Sequence, residues 1–336
     1  MTRRQRTIAI SVSATAAALA LAIGLIVALT GSSAPAPPAS PASPAGLVSP
    51  FTGEPVAELG PVLALKIDNI KQARPPTGLR SADIIYSLPV EGGLSRLMAV
   101  FSSRVPPVIG PVRSAREDDL ELLRQFGRPA FGYSGATPHL LPFVHRARIV
   151  DLYAGIAGGY FRDPGRVAPH NLYARSAVLL AEARGASDAR DIGFRFGPLP
   201  AGGRAVSSYS VSYPAASFTF RWSAPDKRWL VSMDGKPSTA VEGGQLGGST
   251  VVIQYTEVKT SRFLEYGSRP PYAVSTGSGQ AVVLRDGRAF DVHWSRPSAD
   301  GGTTFTLGSG QRMTFAPGQV WVILASAPKS APATHG

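Results

Sequence analysis

The sequence predicts an α/β domain, a mixed sheet with covering helices, followed by a smaller β-rich domain, both behind an N-terminal transmembrane helix. Three observations predict it. Short runs rich in Val, Ile, Leu and aromatics alternate with helix-like stretches between residues 51 and 187. A Gly/Pro-rich stretch at 188–205 separates this region from one dominated by hairpin signals. An uncharged run of 23 residues, Ile8 to Thr30, follows Arg3, Arg4 and Arg6.

The N-terminal run exceeds the roughly 20 residues a membrane-spanning helix needs and the roughly 7–15 of a signal-peptide core. Residues 1–7 therefore read as a basic cytoplasmic tail and 8–30 as a signal-anchor, with the positive flank kept inside. The expected product is a single-pass protein of the cell membrane with extracytoplasmic C-terminal domains. The alternative is cleavage after Ala28-Leu29-Thr30 and secretion. Residues 31–50, GSSAPAPPASPASPAGLVSP, have almost nothing to bury and read as an extended tether. Residues 327–336 read as a disordered tail.

Within 51–187, Val62 to Ile67, Asp83 to Leu88 and Leu94 to Phe101 are apolar runs bounded by Pro, Gly or Asn, the pattern of buried strands. Ser114-Ala115-Arg116-Glu117 fits a capping box, with Leu120, Leu122, Leu123 and Phe126 as the apolar stripe of the helix it would start. A strand at Ala130 to Tyr133, a Pro-interrupted helix near His139 to Arg146, a strand from Arg148 to Tyr153 and a helix from Ser176 to Arg184 complete the unit. Beyond the 188–205 linker, residues 206–326 show period-two alternation at Phe218 to Trp222 and Asp-Gly turns at Asp234-Gly235 and Asp286-Gly287. Pro317-Gly318 marks a further turn, and Val251 to Tyr255 and Val320 to Leu324 are apolar strands.

Composition sets the partners. The net charge is +12, three units of it from Arg3, Arg4 and Arg6, so the chain favours anionic partners. Export makes nucleic acid an unsuitable one and leaves an anionic cell-wall polymer or an envelope protein, with the membrane engaged through residues 8–30. The chain has no cysteine, which removes thiolate nucleophiles, thiolate metal sites and disulfides.

The motifs crowd into one region. Ile67-Asp68-Asn69, Ala73-Arg74-Pro75-Pro76-Thr77-Gly78-Leu79, Val90-Glu91-Gly92-Gly93, Gly110 to Arg116 (GPVRSAR) and Pro169 to Tyr173 (PHNLY) follow one another along the chain. In that order they resemble the YerB-like lipoprotein family of bacteria, a domain-of-unknown-function family (3048) with N- and C-terminal modules. The likeness covers most of residues 56–325, with GQAVVLRDGRAFDVHW and APGQVWVIL resembling the C-terminal module. It implies an address and no reaction. Two departures stand out. Ser87 occupies a position where the family pattern has Glu, which counts against a mechanism needing that carboxylate. The family's lipobox cysteine has no counterpart, so a lipid anchor is not expected.

Standard enzyme signatures are absent: no P-loop, no GxGxxG and no GxSxG elbow. His139 and His145 are six apart with no evident carboxylate partner and read as structural, and neither a metal nor a cofactor is expected. The candidate acid-base groups are Asp68, Glu91 and His170. The candidate ligand-binding groups are Asn69, Arg74, Arg96, Arg113, Ser114, Arg116 and Asn171. Arg113 and Arg116 at a helix start could read a carboxylate or phosphate bidentately. They could equally pair with Asp68, Asp83 or Glu91 to hold the sheet together. The Gly92-Gly93 pair admits close approach of a ligand or another backbone, or a bulge. His170 and Asn171 could equally hold their own loop. Glu242, Arg285, Asp286 and Asp291 read as surface and turn residues.

Two functions from different classes follow. One is a binding module whose Arg-lined cleft holds an anionic wall component or an acidic partner protein. The other is an envelope hydrolase or transferase using Asp68, Glu91 and His170. The separation of those three groups discriminates between the two.

Overall fold

The strand Leu63–Ile67 is apolar except for Lys66 and is buried along its whole length. Around it grows one sheet of eleven strands in a computed structural model that describes residues 46–265 and 267–327. The expected membrane helix at 8–30, the basic tail, most of the tether and most of the C-terminal tail lie outside the described residues. Among the described residues no helix is long and apolar enough to cross a membrane.

The sheet runs 304–307, 288–296, 277–285, 250–255, 320–325, 84–89, 95–101, 63–67, 130–133 and 150–153, with 204–205 pairing to the 288–296 strand. Its centre is the strand Val320–Ala325, parallel to both Thr250–Tyr255 and Ile84–Pro89. The sequence VWVILA has no polar residue, as a strand covered on both faces requires. Strands from both halves of the chain thus share one hydrogen-bonded ladder.

The expected strands of 51–187 all form, at Leu63–Ile67, Ile84–Pro89, Ser95–Phe101, Ala130–Tyr133 and Val150–Tyr153. The covering helices are shorter than an α/β domain suggests. They span only Glu117–Leu123, Leu141–His145 and Ser176–Glu182, so the described fold is mostly strand. A second antiparallel sheet covers one face together with the helix Ser176–Glu182: Ser208–Tyr213, Ala216–Ser223, Arg228–Met233 and Lys236–Pro237, with Gly247–Gly248 beside Arg228–Met233. Its buried Phe218, Phe220, Trp229 and Val231 share a core with Ile85, Leu97, Ile253 and Trp321 of the large sheet. Phe220 meets the Trp321 ring edge-on, with centroids 6.3 Å apart. The opposite face buries Tyr86, Met98, Phe131 and Tyr133 with Leu122, Leu123 and Phe126.

The segment read as a linker packs against the core. Ile192 is fully buried, and Phe194 lies 5.0 Å from the Phe315 ring. Main-chain bonds Thr303 N to Ile192 O (2.7 Å) and Phe315 N to Arg195 O (2.6 Å) tie it down. Gly193, at φ +93°, is required there because a Cβ would sit 2.4 Å from the Thr303 oxygen. Arg285 is no surface residue. It is 4% exposed, and its guanidinium donates to the carbonyls of Gly197 and Thr314, which spacing along one hairpin could not reveal.

A chain ended at Gln319 should lose order in both halves, because the missing strand pairs with each. Hydrogen exchange across residues 63–101 tests this: protection there should collapse, and protection equal to that of the full chain would show that the N-terminal half folds without it.

Candidate functional site

The motifs meet at one end of the large sheet. Leu63–Ile67 and Ile84–Pro89 both run antiparallel to Ser95–Phe101, so Asp68-Asn69, Glu91 and Ser95-Arg96 emerge together. The GPVRSAR segment lies alongside, with Asp68 N bonded to Pro111 O (2.9 Å) and Arg113 N to Lys66 O (2.8 Å). Strand-end loops on a rigid sheet are where sites are built.

Asp68 is buried, and one of its carboxylate oxygens meets His170 Nδ1 at 2.7 Å and Arg113 Nε at 3.2 Å. The other accepts the Ile70 amide at 3.4 Å, so Asp68 also shapes its turn. Asn69 donates to Ser95 Oγ (2.9 Å), and its main-chain oxygen accepts Arg74 Nη2 (2.6 Å). Arg74 then reaches Asp234 of the small sheet at 2.8 Å. Asn171 faces its own loop: it accepts from Arg162 (2.7 Å) and donates to the carbonyls of Asp163 and Arg166. Its role is to hold the loop that presents His170.

Arg116 is 3% exposed and bridges two acids. It donates to both oxygens of Glu91, at 2.6 and 3.1 Å, and to Glu265 at 2.8 Å. Arg96 adds a 3.9 Å contact to Glu91. Burial pushes the Glu91 carboxyl up, but the Arg116 bonds and charge, with Arg96, leave it below its ordinary value. Glu265 goes the other way. Burial raises it, and one of its oxygens has no partner among the described residues. Burial, then the charge of Arg116, lowers Arg96 to about 10. Arg74, Arg96, Arg113 and Arg116 each have a carboxylate partner. Asp83 is not one of them; it accepts the amides of Ser102 and Ser103 (2.6 and 2.9 Å).

The helix Glu117–Leu123 begins later than its expected cap. Its N-cap residue is Arg116, whose backbone N–H is held by Asp119 Oδ2 at 2.7 Å, while the Ser114 hydroxyl lies 3.4 Å from Ser134 Oγ. Glu117, free of capping, accepts Ser261 Oγ (2.6 Å) and the Arg262 amide (3.0 Å). Glu121 accepts Tyr272 Oη and Ser275 Oγ, both at 2.8 Å. Asp119 forms a fully buried ion pair with Lys66 at 2.5 Å. Beside it, burial and then the Asp119 charge push Asp118 up to about 7, with one oxygen lacking a partner among the described residues.

Sequence reasoning missed Lys66, Asp118, Asp119 and Glu265. The signal for Lys66 was available: a lysine inside LALKI, two residues before Asp68 and so on the same face of the strand. The Ser87 hydroxyl lies 3.2 Å from that of Tyr213, on the face opposite Arg96. His145 does have a carboxylate partner, Asp151, six residues on in sequence. No cluster of three or more metal-ligating acids or histidines occurs among the described residues.

Two cavities flank the motif end. One, of 290 Å³, is lined by Lys71, Arg74, Asp234, Lys236 and Thr239. The other, of 810 Å³, lies between Glu91-Gly92-Gly93 and Pro214, Lys259 and Arg269. Gly92 and Gly93 form a left-handed turn rather than a bulge, and another backbone does approach: Ala215 N bonds to Gly93 O at 2.9 Å.

Comparison with known proteins finds two family matches. Residues 51–190 match "Protein of unknown function (DUF3048) N-terminal domain", and residues 209–322 match its C-terminal domain. A Bacillus subtilis (strain 168) protein named "Putative lipoprotein YerB" is 25% identical over 293 residues, which are 82% of this chain and 85% of that protein. The crystal structure of YerB from Bacillus subtilis superposes with a TM-score of 0.71 at 22% identity, covering 84% of this chain and 97% of that one, a likeness of fold.

The raised Asp118 carboxyl sets a pH dependence. Its folded-state value near 7 exceeds the ordinary 3.8, so the folded chain holds that proton more tightly and loses the advantage as pH rises between the two. Asp118→Asn should therefore change stability little near pH 4 and raise it on the order of 2–4 kcal/mol above pH 7. Melting curves at both pH values check this; a variant no more stable than the parent at pH 8 contradicts it.

Proposed function

Because the chain belongs to the DUF3048 family and carries both of its domains in order, we propose that it is an extracytoplasmic envelope protein that binds an anionic cell-wall polymer. Three basic residues ahead of a 23-residue uncharged run support that location, as does the name "lipoprotein" of its Bacillus subtilis relative. With no cysteine to carry lipid, the run at 8–30 is the proposed anchor.

The observation that carries the binding reading is the 290 Å³ cavity between Lys71-Arg74 and the small-sheet turn at Asp234. Lys71, Arg74 and Lys236 line it against one carboxylate, Asp234, which Arg74 already engages. Lys71 and Lys236 have no carboxylate partner among the described residues. Arg96, Arg113 and Arg116 are held by Asp68, Glu91 and Glu265, so their role in the cleft is to fix its walls. Phosphate or carboxylate groups along a polymer would find positive charge here with little competition from within the protein.

A second reading rests on Asp68 and His170. A buried carboxylate on Nδ1 leaves Nε2 as the nitrogen available to a substrate or water, the arrangement of a general acid-base group. Glu91 is taken up by Arg116, so an envelope hydrolase or transferase built here would rely on the Asp68–His170 pair. Turnover of wall polymer by the purified chain, abolished in His170→Asn, would favour this reading; no turnover by the parent would leave binding alone.

Retention of the full chain on a phosphate-rich wall polymer tests the binding site. It should weaken as salt rises. In Lys71→Glu/Lys236→Glu it should fall about tenfold or more with little change in melting temperature, since both side chains are exposed. Equal retention of parent and variant would refute the assignment.

A further inference from the structure

The 810 Å³ groove is bordered by two strand edges that nothing in the described chain covers. Among the described residues Val258–Thr260 pairs only with Pro271–Ala273, and Ser208–Tyr213 only with Ala216–Ser223. The phase of each ladder tells which main-chain groups are left over. Val274 N bonds to Glu257 O (2.9 Å) and Ser261 N to Pro270 O (2.8 Å), so residues 257, 259 and 261 turn their main-chain groups inward. Val258 and Thr260 turn theirs outward. Trp222 N bonds to Ser207 O (2.9 Å), which by the same alternation leaves Ser208, Ser210 and Ser212 facing out. Val258, Thr260 and Ser212 all line the groove, and their outward N–H and C=O groups have no partner among the described residues.

The groove's shape and charge narrow the occupant. Pro89, Pro214, Pro270 and Pro271 make stiff walls that lose little freedom when a ligand enters. Its one acid, Glu91, is neutralised by Arg116. Arg269 bonds only to the main-chain oxygens of Ser261 (3.1 Å) and Arg262 (2.5 Å) and has no carboxylate partner among the described residues. Lys259 meets Glu257 at 3.1 Å, but both side chains are more than half exposed and that contact is weak. The rim is therefore positive.

We infer that this groove takes an extended acidic segment of a partner polypeptide, added as a strand to the open edge at Val258–Thr260. Main-chain pairing gives the affinity in this mode of recognition, and the side chains beside it give the preference. Lys259 and Arg269 select acidic residues. The inference concerns a different cavity and a different ligand from the polymer site and stands without it.

The experiment is selection of a randomised library of short linear peptides on the full chain, followed by affinity measurements. Recovered peptides should be acidic. N-methylation of the alternate residues that face the strand should weaken them about tenfold or more, since two main-chain bonds are lost, whereas N-methylation of the intervening residues should not. Thr260→Pro should give the same loss, because the N–H it removes points outward and the inner ladder survives. The N-methylated peptides keep the test valid if that variant misfolds. Failure to recover any acidic peptide, or recovered peptides indifferent to N-methylation, overturns the inference. So does binding that appears only after residues 328–336 are removed, or self-association abolished by Thr260→Pro, since the occupant would then be the chain's own end or a second copy.

Discussion

Arg116 is a guanidinium that has left water almost entirely, and the two carboxylates that compensate it come from opposite halves of the chain. A buried cation without partners costs several kcal/mol, so Glu91 and Glu265 must both be in place for the arginine to be tolerated. Glu91 sits in the turn between two central strands and Glu265 in the excursion at 261–276. The same excursion is held by Glu117 and Glu121 of the short helix that Arg116 begins. One arginine, two acids and one seven-residue helix thereby fix the end of the sheet where all the motifs emerge.

The consequence for function is a division of labour among basic residues. Those in the motif are spent on carboxylates, and their charge is internal to the fold. The proposed ligand contacts fall instead to Lys71 and Lys236 in one cavity and to Lys259 and Arg269 on the rim of another, all outside the motif arginines. Asp68 is the exception among the acids, since besides pairing with Arg113 it orients an imidazole. The two family domains share a sheet, so both cavities have walls drawn from each half: Lys71 faces Lys236, and Glu91 faces Lys259.

The strands were legible because each is a short apolar run between turn residues, and Ala130–Tyr133 forms at the expected bounds. The Asp-Gly turns were legible too, as Asp234 and Asp286 adopt the positive φ that such turns require. What stayed hidden was pairing at long range. Nothing in VWVILA says that it inserts between strands from both halves, and nothing in Glu265 says that it meets an arginine 149 residues earlier. The capping box failed for a local reason: Asp119 serves the same purpose two residues further on, and the sequence permits either start. The motif arginines had two readings from sequence, ligand-facing and ion-paired, and only the placement of Asp68, Glu91 and Glu265 distinguishes them.

The central claim is that Arg116 and its two acids stabilise the fold as one unit. A thermodynamic cycle in urea measures it, comparing Arg116→Met, Glu91→Gln/Glu265→Gln and the triple variant. Arg116→Met alone should destabilise by about 3–5 kcal/mol, because it strands two acids, and the triple variant should recover most of that loss. If instead the losses simply add, so that the triple variant is the least stable of all, the three residues do not act together and the account is wrong.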